Sequence, residues 1–240
     1  MTHPITQWHR PSVVNAIQTT RRSAQTLDFD AHPSSNQDIR PLLSAVDIEL
    51  PQPVFFLQQV HGAEVVEYMH PPQAHFVQTA DACFTRQPGI ICAIMTADCL
   101  PVLLTDEAGS FVAAVHCGWR SLYAGILQQL IKTIQPRAEV LAWLGPCIQQ
   151  PNYEVDGAFM KNYLKTHPDA SSAFTPVQND HCYASLPIMA IRQLNALGIS
   201  LIDQDGRCTY SDDQLYSWRR DNTPQRMASL IWLKPNNQPL

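Results

Sequence analysis

Three short apolar runs crowd the middle of this chain: Ile90-Ile91-Cys92-Ala93-Ile94-Met95, Val102-Leu103-Leu104 and Phe111-Val112-Ala113-Ala114-Val115. Short apolar runs bounded by turn residues read as buried core strands. The first passes into Thr96-Ala97-Asp98-Cys99 and the third into His116-Cys117-Gly118-Trp119-Arg120. An earlier run, Val54-Phe55-Phe56-Leu57-Gln58-Gln59-Val60, ends in the same way at His61-Gly62. His61, Cys99 and His116 are thereby expected at the ends of core strands, rigidly held and facing a cleft. Three soft or borderline metal ligands at three strand ends suggest a built site.

A chain of 240 residues is long enough to bury a substantial core as one domain, taken here as residues 1–240. A formal net charge of −5 with 15% charged residues argues against nucleic acid, which favours a basic patch. No stretch approaches the roughly 20 apolar residues of a membrane span. The N-terminal residues lack the apolar core of a signal peptide. Seven cysteines, an odd number, then point to reduced thiols and a cytoplasmic setting.

The remaining pattern is mixed α and β. Strands are expected over residues 11–20, near 53–60 and 63–68, and at 140–144, 200–202 and 229–233. Runs 90–95 and 102–105 read as paired strands, separated by Cys99-Leu100-Pro101. A polar loop is expected over 23–38 and a short helix over 39–46, with Pro41 in its first turn. The clearest helix covers 121–135, where Leu127, Leu130, Ile131 and Ile134 form an apolar stripe and Pro136 ends it. A second covers 185–197, with Ser185 as N-cap, Pro187 in the first turn and Gly198 at the end. The fold class is α+β.

Catalytic zinc usually keeps three protein ligands and one open position, and His61, Cys99 and His116 satisfy that description. Their long spacing differs from the local Cys pairs of structural zinc fingers. The same residues allow a thiolate–imidazole pair, with Cys99 as nucleophile and His116 as base of an amidase or deamidase. Cys117 is a poor ligand, because adjacent side chains of an extended strand face opposite ways. Cys83, Cys92, Cys147, Cys182 and Cys208 are expected to pack in the interior. Arg120, at the start of the helix, and the Arg219-Arg220-Asp221 run are candidate anion sites.

The segments Q-V-H-G (59–62), A-D-A (80–82), M-T-A-D-C-L-P-V-L (95–103), H-C-G-W-R (116–120), A-W-L-G-P (142–146), Y-E-V (153–155), R-C-T-Y (207–210), S-W-R-R-D (217–221) and R-M-A-S-L-I-W-L (226–233) span most of the chain. Together, in this order, they resemble the multicopper polyphenol oxidoreductase (laccase-like) family. The resemblance implies two mixed β-sheets packed together with outer helices, an α/β/β/α-like sandwich, and zinc on His61, Cys99 and His116. It also implies phosphorolysis of adenosine, inosine, guanosine and methylthioadenosine, and deamination of adenosine. Copper-dependent phenol oxidation is ascribed to some members, and peptidoglycan-precursor editing is a further role attached to the family. Its fold relation to a bacterial deamidating toxin keeps the cysteine-hydrolase reading alongside.

Departures from the family pattern gather near the N-terminus. A glycine-rich loop is replaced by Thr20-Arg21-Arg22-Ser23-Ala24-Gln25, and Asp28 stands where Asn is expected. The nucleoside rim is therefore expected to differ, with weak nucleoside affinity. The leading reading is a metal-dependent enzyme of purine nucleosides and phosphate. Metal coordination lowers the pKa of water towards neutrality, supplying hydroxide for attack on C6 of adenosine. Phosphorolysis needs instead a phosphate held near C1′, for which Arg21, Arg120 and Arg220 are candidates. Asp28 is expected on the substrate wall, and Asp81 and Asp98 as acceptors that orient the metal ligands.

Overall fold

The computed structural model describes residues 3–5, 7–21, 50, 51, 53–72 and 78–235. In chain order its elements are β1 (His3–Pro4), β2 (Val14–Gln18), β3 (Val65–Glu67), β4 (Ala82–Thr85), β5 (Ile91–Thr96), β6 (Leu100–Asp106) and β7 (Val112–Cys117). There follow α1 (Trp119–Tyr123), α2 (Ile126–Ile134), β8 (Val140–Leu144), β9 (Glu154–Asp156), α3 (Gly157–Thr166), β10 (Phe174–Pro176) and β11 (His181–Ala184). The chain closes with α4 (Leu186–Ala196), β12 (Leu201–Gln204), α5 (Trp218–Asp221) and β13 (Met227–Leu233).

Two sheets make the sandwich. One is antiparallel, in the order β1-β2-β13-β5; the other is mixed, in the order β12-β8-β6-β7-β4-β3. A third, of three short strands ordered β10-β11-β9, stands beside them. Alternation along the central strands feeds two cores at once. In β6 and β7, Val102, Leu104, Ala113, Val115 and Cys117 point to the helix side, whereas Leu103, Val112 and Ala114 point into the space between the sheets. There they meet Val14, Ala16, Cys92, Ile94 and Ile231 from the smaller sheet, with Trp143 of β8. A strand buried on both faces carries no polar face, which is why these runs are continuously apolar.

The helices cover the outer face of the larger sheet. Ile126, Leu127, Leu130 and Ile134 form the buried stripe of α2. In α4, the Ser185 hydroxyl accepts from the Ile188 N–H at 3.3 Å, Pro187 occupies the first turn, and Gly198 follows the end at φ +79°. Gln193 of α4 donates to the Leu122 carbonyl at 2.8 Å and to the Tyr163 hydroxyl at 2.9 Å, joining α4 to α1 and α3. The outer face of the smaller sheet, with Ile17, Ile91, Ala93, Leu230 and Trp232, packs against Val54, Leu50 and Phe56.

Several expectations are corrected. Runs 90–95 and 102–105 do not pair: β5 lies in one sheet and β6 in the other, so residues 97–99 cross between them. The smaller sheet is antiparallel, not mixed. Residues 53–60 form no strand beyond an isolated bridge from Gln58 to Thr79, because their apolar side chains cover a sheet face instead of joining a ladder. The helix expected over 121–135 starts earlier, at Trp119, and breaks at Gly125, whose φ of +78° lies outside helical geometry. Residues 150–184, for which no elements are expected from the sequence, hold the third sheet and α3. The loop and helix expected over 23–46 lie outside the described residues.

Leu103, fully buried between the sheets opposite Trp143 and Ala114, tests the sandwich. Leu103→Ala is expected to lower unfolding stability in urea by about 2–5 kcal/mol, the range for emptying a core leucine site. A loss below about 1 kcal/mol would mean that the sheets do not close on each other there.

Candidate metal centre

His61, Cys99 and His116 come together, with one ligand atom from each lying within 4.8 Å of the others. Each arrives by a different local device. Cys99 sits where the chain crosses between the sheets, just before β6, and Asp98 makes the turn at φ +95°. His116 is the penultimate residue of β7, on the same side of the strand as Val112 and Ala114, so it points into the opening between the sheets. Its neighbour Cys117 faces the helical core and is fully buried, with burial pushing its thiol well up.

His61 is carried by a loop that the Q-V-H-G motif ties down from both ends. The Gln59 side chain donates to the Met95 carbonyl at 2.8 Å and accepts from the Met95 N–H at 2.8 Å, mimicking a ladder partner of β5. His61 itself adopts φ +60°, uncommon for a residue with a side chain. Asp81 compensates for that conformation. Its carboxylate accepts from three consecutive backbone N–H groups, Val60 at 3.1 Å, His61 at 2.9 Å and Gly62 at 2.6 Å. Successive N–H groups arranged in this way form a small anion-binding nest.

The same carboxylate accepts from His116 Nδ1 at 2.7 Å, and the Asp81 carbonyl accepts from the His116 N–H at 2.7 Å. Fixing Nδ1 leaves Nε2 to face the site, the arrangement by which a carboxylate orients a metal-binding imidazole. Asp81 is fully buried, which by itself raises its pKa. The hydrogen bonds from His116 and Gly62 outweigh that and hold it below its ordinary value.

Burial would push the Cys99 thiol up, but the charge of His116 and hydrogen bonds from both imidazoles bring it down to about 6. Burial opposes charging of His116, yet the Cys99 charge and the Asp81 hydrogen bond raise it to about 9. The donor set fits zinc or another borderline-soft ion. His61 Nε2 lies 3.8 Å from Cys99 Sγ, close to the edge of a tetrahedron built on Zn–N and Zn–S bonds of about 2.0–2.3 Å. Gly118 keeps the space clear: a Cβ there would stand 2.8 Å from His61 Cδ2 and 3.2 Å from Cys99 Sγ.

Asp98 does not touch the ligands. It accepts from the Thr209 hydroxyl at 2.6 Å and the Arg219 N–H at 2.6 Å, anchoring the 205–221 strap beside Cys99. Arg220, expected on phosphate, has its donors committed. It donates to the carbonyls of Thr209, Tyr210, Asp212 and Leu215 and bidentately to Asp221, so it builds the strap instead. Arg21 lies over Tyr216 and 3.7 Å from Asp221, at the outer side of that strap. Asp28 lies outside the described residues. Arg120 is exposed and stacks on Trp119, its guanidinium 4.4 Å from the ring centre.

Tyr153 is an addition to this neighbourhood, and Arg219 of the candidate anion run lies against it. Burial raises the Tyr153 phenol and the nearby Cys99 charge raises it further, while Arg219 and Arg120 pull it back. Arg219 stacks over its ring at 5.5 Å. In the sequence Tyr153 is marked by the Y-E-V segment alone, whereas Arg219 also stands in the Arg219-Arg220-Asp221 run. Cys208, expected in the interior, is only partly buried, because hydrogen-bond donors rather than apolar side chains surround it.

Asp81→Asn keeps the shape but weakens the nest and the bond to His116. Metal affinity is expected to fall about 10–100-fold, the usual effect of losing an orienting carboxylate. Competition with a chromogenic chelator measures it, and unchanged affinity would mean that His116 is oriented without Asp81. Gly118→Ala is expected to lower metal affinity with the fold retained by circular dichroism.

The chain matches the family model described as multi-copper polyphenol oxidoreductase laccase over residues 6–234. It is 38% identical over 241 residues to purine nucleoside phosphorylase YfiH of Escherichia coli, covering 95% of this chain and 98% of the relative. To purine nucleoside phosphorylase PA4543 of Pseudomonas aeruginosa it is 38% identical over 240 residues, covering 95% and 96%. The crystal structure of Neisseria meningitidis protein NMB0706 superposes with a TM-score of 0.85 at 33% identity, covering 98% of this chain and 99% of that one. YlmD from Geobacillus stearothermophilus shares the fold, with a TM-score of 0.80 at 22% identity over 97% of this chain and 98% of its own. This chain belongs to the multi-copper polyphenol oxidoreductase laccase family.

Proposed function

We propose that this protein is a zinc-dependent enzyme that cleaves purine nucleosides with phosphate, and that the same centre deaminates adenosine. The observation that carries the reading is the convergence of His61, Cys99 and His116, with Asp81 fixing the His116 tautomer, in a chain related over almost its full length to proteins named purine nucleoside phosphorylase. Adenosine, inosine, guanosine and methylthioadenosine are the proposed substrates. A zinc ion on these ligands would supply Lewis acidity, polarising a substrate group or acidifying a water. The protein's part is positioning. His61 and His116 are locked through Asp81, and Gly118 leaves room beside Cys99.

Arg120 is the proposed phosphate ligand, joined by Arg219 across Tyr153. Burial keeps the Tyr153 hydroxyl protonated, so it can donate a hydrogen bond to an anion lying between the two guanidinium groups. Arg21 and Asp28 are proposed at the outer rim of the nucleoside site. The seven cysteines are free thiols and none of the described helices is long and apolar enough to cross a membrane; we place the protein in the cytoplasm.

A second reading has its own observation. The lowered Cys99 thiol, the raised His116 imidazole and the Asp81 carboxylate line up as nucleophile, base and orienting group of a cysteine hydrolase. Metal content separates the two. Purified under reducing conditions, the protein is expected to carry close to one zinc per chain. Cys99→Ala is expected to lose both the metal and phosphate-dependent release of hypoxanthine from inosine. Full activity in metal-stripped protein would favour the cysteine hydrolase.

Arg120→Ala is expected to weaken phosphorolysis and to make it less salt-dependent, as loss of an exposed anion-binding charge does, and largely to spare deamination, which consumes no phosphate. Steady-state rates for inosine and adenosine at matched zinc content provide the comparison. Equal loss of both activities would make Arg120 a structural support.

A further inference from the structure

The strap that follows β12 lays Cys208 against Cys147, just beyond the end of β8. The Cys147 N–H donates to the Arg207 carbonyl at 3.4 Å and the Cys147 carbonyl accepts from the Thr209 N–H at 3.1 Å, making Cys147 and Cys208 partners of a parallel bridge. Adjacent extended segments run about 4.8 Å apart. That falls inside the Cα separation of about 4.4–6.8 Å that a disulfide requires. Gln149 touches both sulfurs, its backbone N–H donating to Cys208 Sγ at 3.3 Å and its side chain to Cys147 Sγ at 3.4 Å, and the Cys208 charge is, after burial, the first to act on the Cys147 thiol.

The two thiols are chemically unequal. Cys147 is fully buried, and burial pushes its pKa well up. Cys208 is only partly buried. Burial would raise it too, but hydrogen bonds from the Gln149 N–H, from Ser211 and from Asn152 Nδ2 at 3.3 Å bring it below its ordinary value. Asn152 also donates to the Ser211 hydroxyl at 3.0 Å, which ties the donors together. An accessible sulfur among donors attacks; a buried neighbour resolves. Cys83, Cys92, Cys117 and Cys182 are buried, and Cys99 belongs to the metal centre.

We propose that Cys208 is a site of oxidation by hydrogen peroxide and that Cys147 is its resolving partner, the two closing a reversible disulfide. The Cys208 thiolate attacks one peroxide oxygen; the O–O bond breaks, and the departing hydroxide takes up a proton as water. The product is a sulfenic acid on Cys208. The Cys147 sulfur then attacks the sulfenic sulfur, forming the S–S bond and breaking the S–O bond, and its thiol proton leaves with the hydroxide as a second water. Two thiols are oxidised and one peroxide is reduced to two waters. The bond ties the strap to the end of β8 beside Thr209, whose hydroxyl holds Asp98 next to Cys99. This inference is independent of the nucleoside reading.

The test uses the purified full-length protein treated with hydrogen peroxide, quenched with a maleimide and mapped by mass spectrometry without reduction. The expected product is a cross-linked pair of peptides containing Cys147 and Cys208, lost on treatment with dithiothreitol. Cys147→Ser is expected to leave Cys208 as a sulfenate that dimedone traps. Asn152→Ala, which removes one donor, is expected to slow maleimide alkylation of Cys208 at pH 7 about threefold. Overoxidation of Cys208 without a cross-link would overturn the resolving role of Cys147. Full alkylation of Cys208 after peroxide, or an unchanged rate in the Asn152 variant, would overturn the assignment of Cys208 as the attacking sulfur.

Discussion

One buried carboxylate, that of Asp81, organises the centre. A carboxylate removed from water is costly unless its lone pairs are filled, and here three backbone N–H groups and an imidazole fill them. The same four bonds do separate jobs for the site. Those from residues 60–62 hold His61 in its left-handed conformation, and the one from His116 sets the tautomer. Asp81 immediately precedes β4, which pairs with β7, so the carboxylate reaches His116 from the adjoining strand of the same sheet. Two candidate ligands from segments distant in sequence thus share one reference point embedded in the core.

The third candidate ligand, Cys99, depends on a different constraint, the passage of the chain from one sheet to the other. Because β5 and β6 belong to different sheets, residues 97–99 must bridge the sandwich at its open end. The Asp98 carboxylate, held by Thr209 and Arg219, fixes that crossing from the strap side. Arg220 gives the strap its shape by collecting carbonyls that would otherwise turn inward without donors. Thus an arginine that reads as a ligand in the sequence serves a ligand through two intermediates, the strap and Asp98.

Much of this was legible in the sequence, and the exceptions have physical reasons. The apolar runs declared β5, β6 and β7, and the residues at their ends declared His116 and Cys99, because strand termini are where a side chain leaves a rigid element for solvent. Pairing was not legible. Two apolar runs separated by a short polar turn look like a hairpin whether they join one sheet or cross between two, and only the partners β13 and β8 decide. Residues 53–60 read as a strand for the same reason: a segment that covers a sheet face needs the apolar residues that a strand in the sheet would need. Arg220 was misread because charge and motif do not reveal whether a guanidinium's donors are already taken.

The formal charges around the centre show what each of the two proposed chemistries would require. Asp81 and Cys99 are the anionic groups that face it, and His116 stands between them. A proton on His116 balances one of the two negative charges and leaves a thiolate poised as a nucleophile. A divalent cation among the three ligands balances both and requires His116 to present a neutral Nε2, which the Asp81 bond at Nδ1 already arranges. His61 adds a side chain that a thiolate–imidazole–carboxylate chain does not need. Its strained backbone and its three-point attachment to Asp81 are therefore better accounted for by a metal centre than by a cysteine nucleophile.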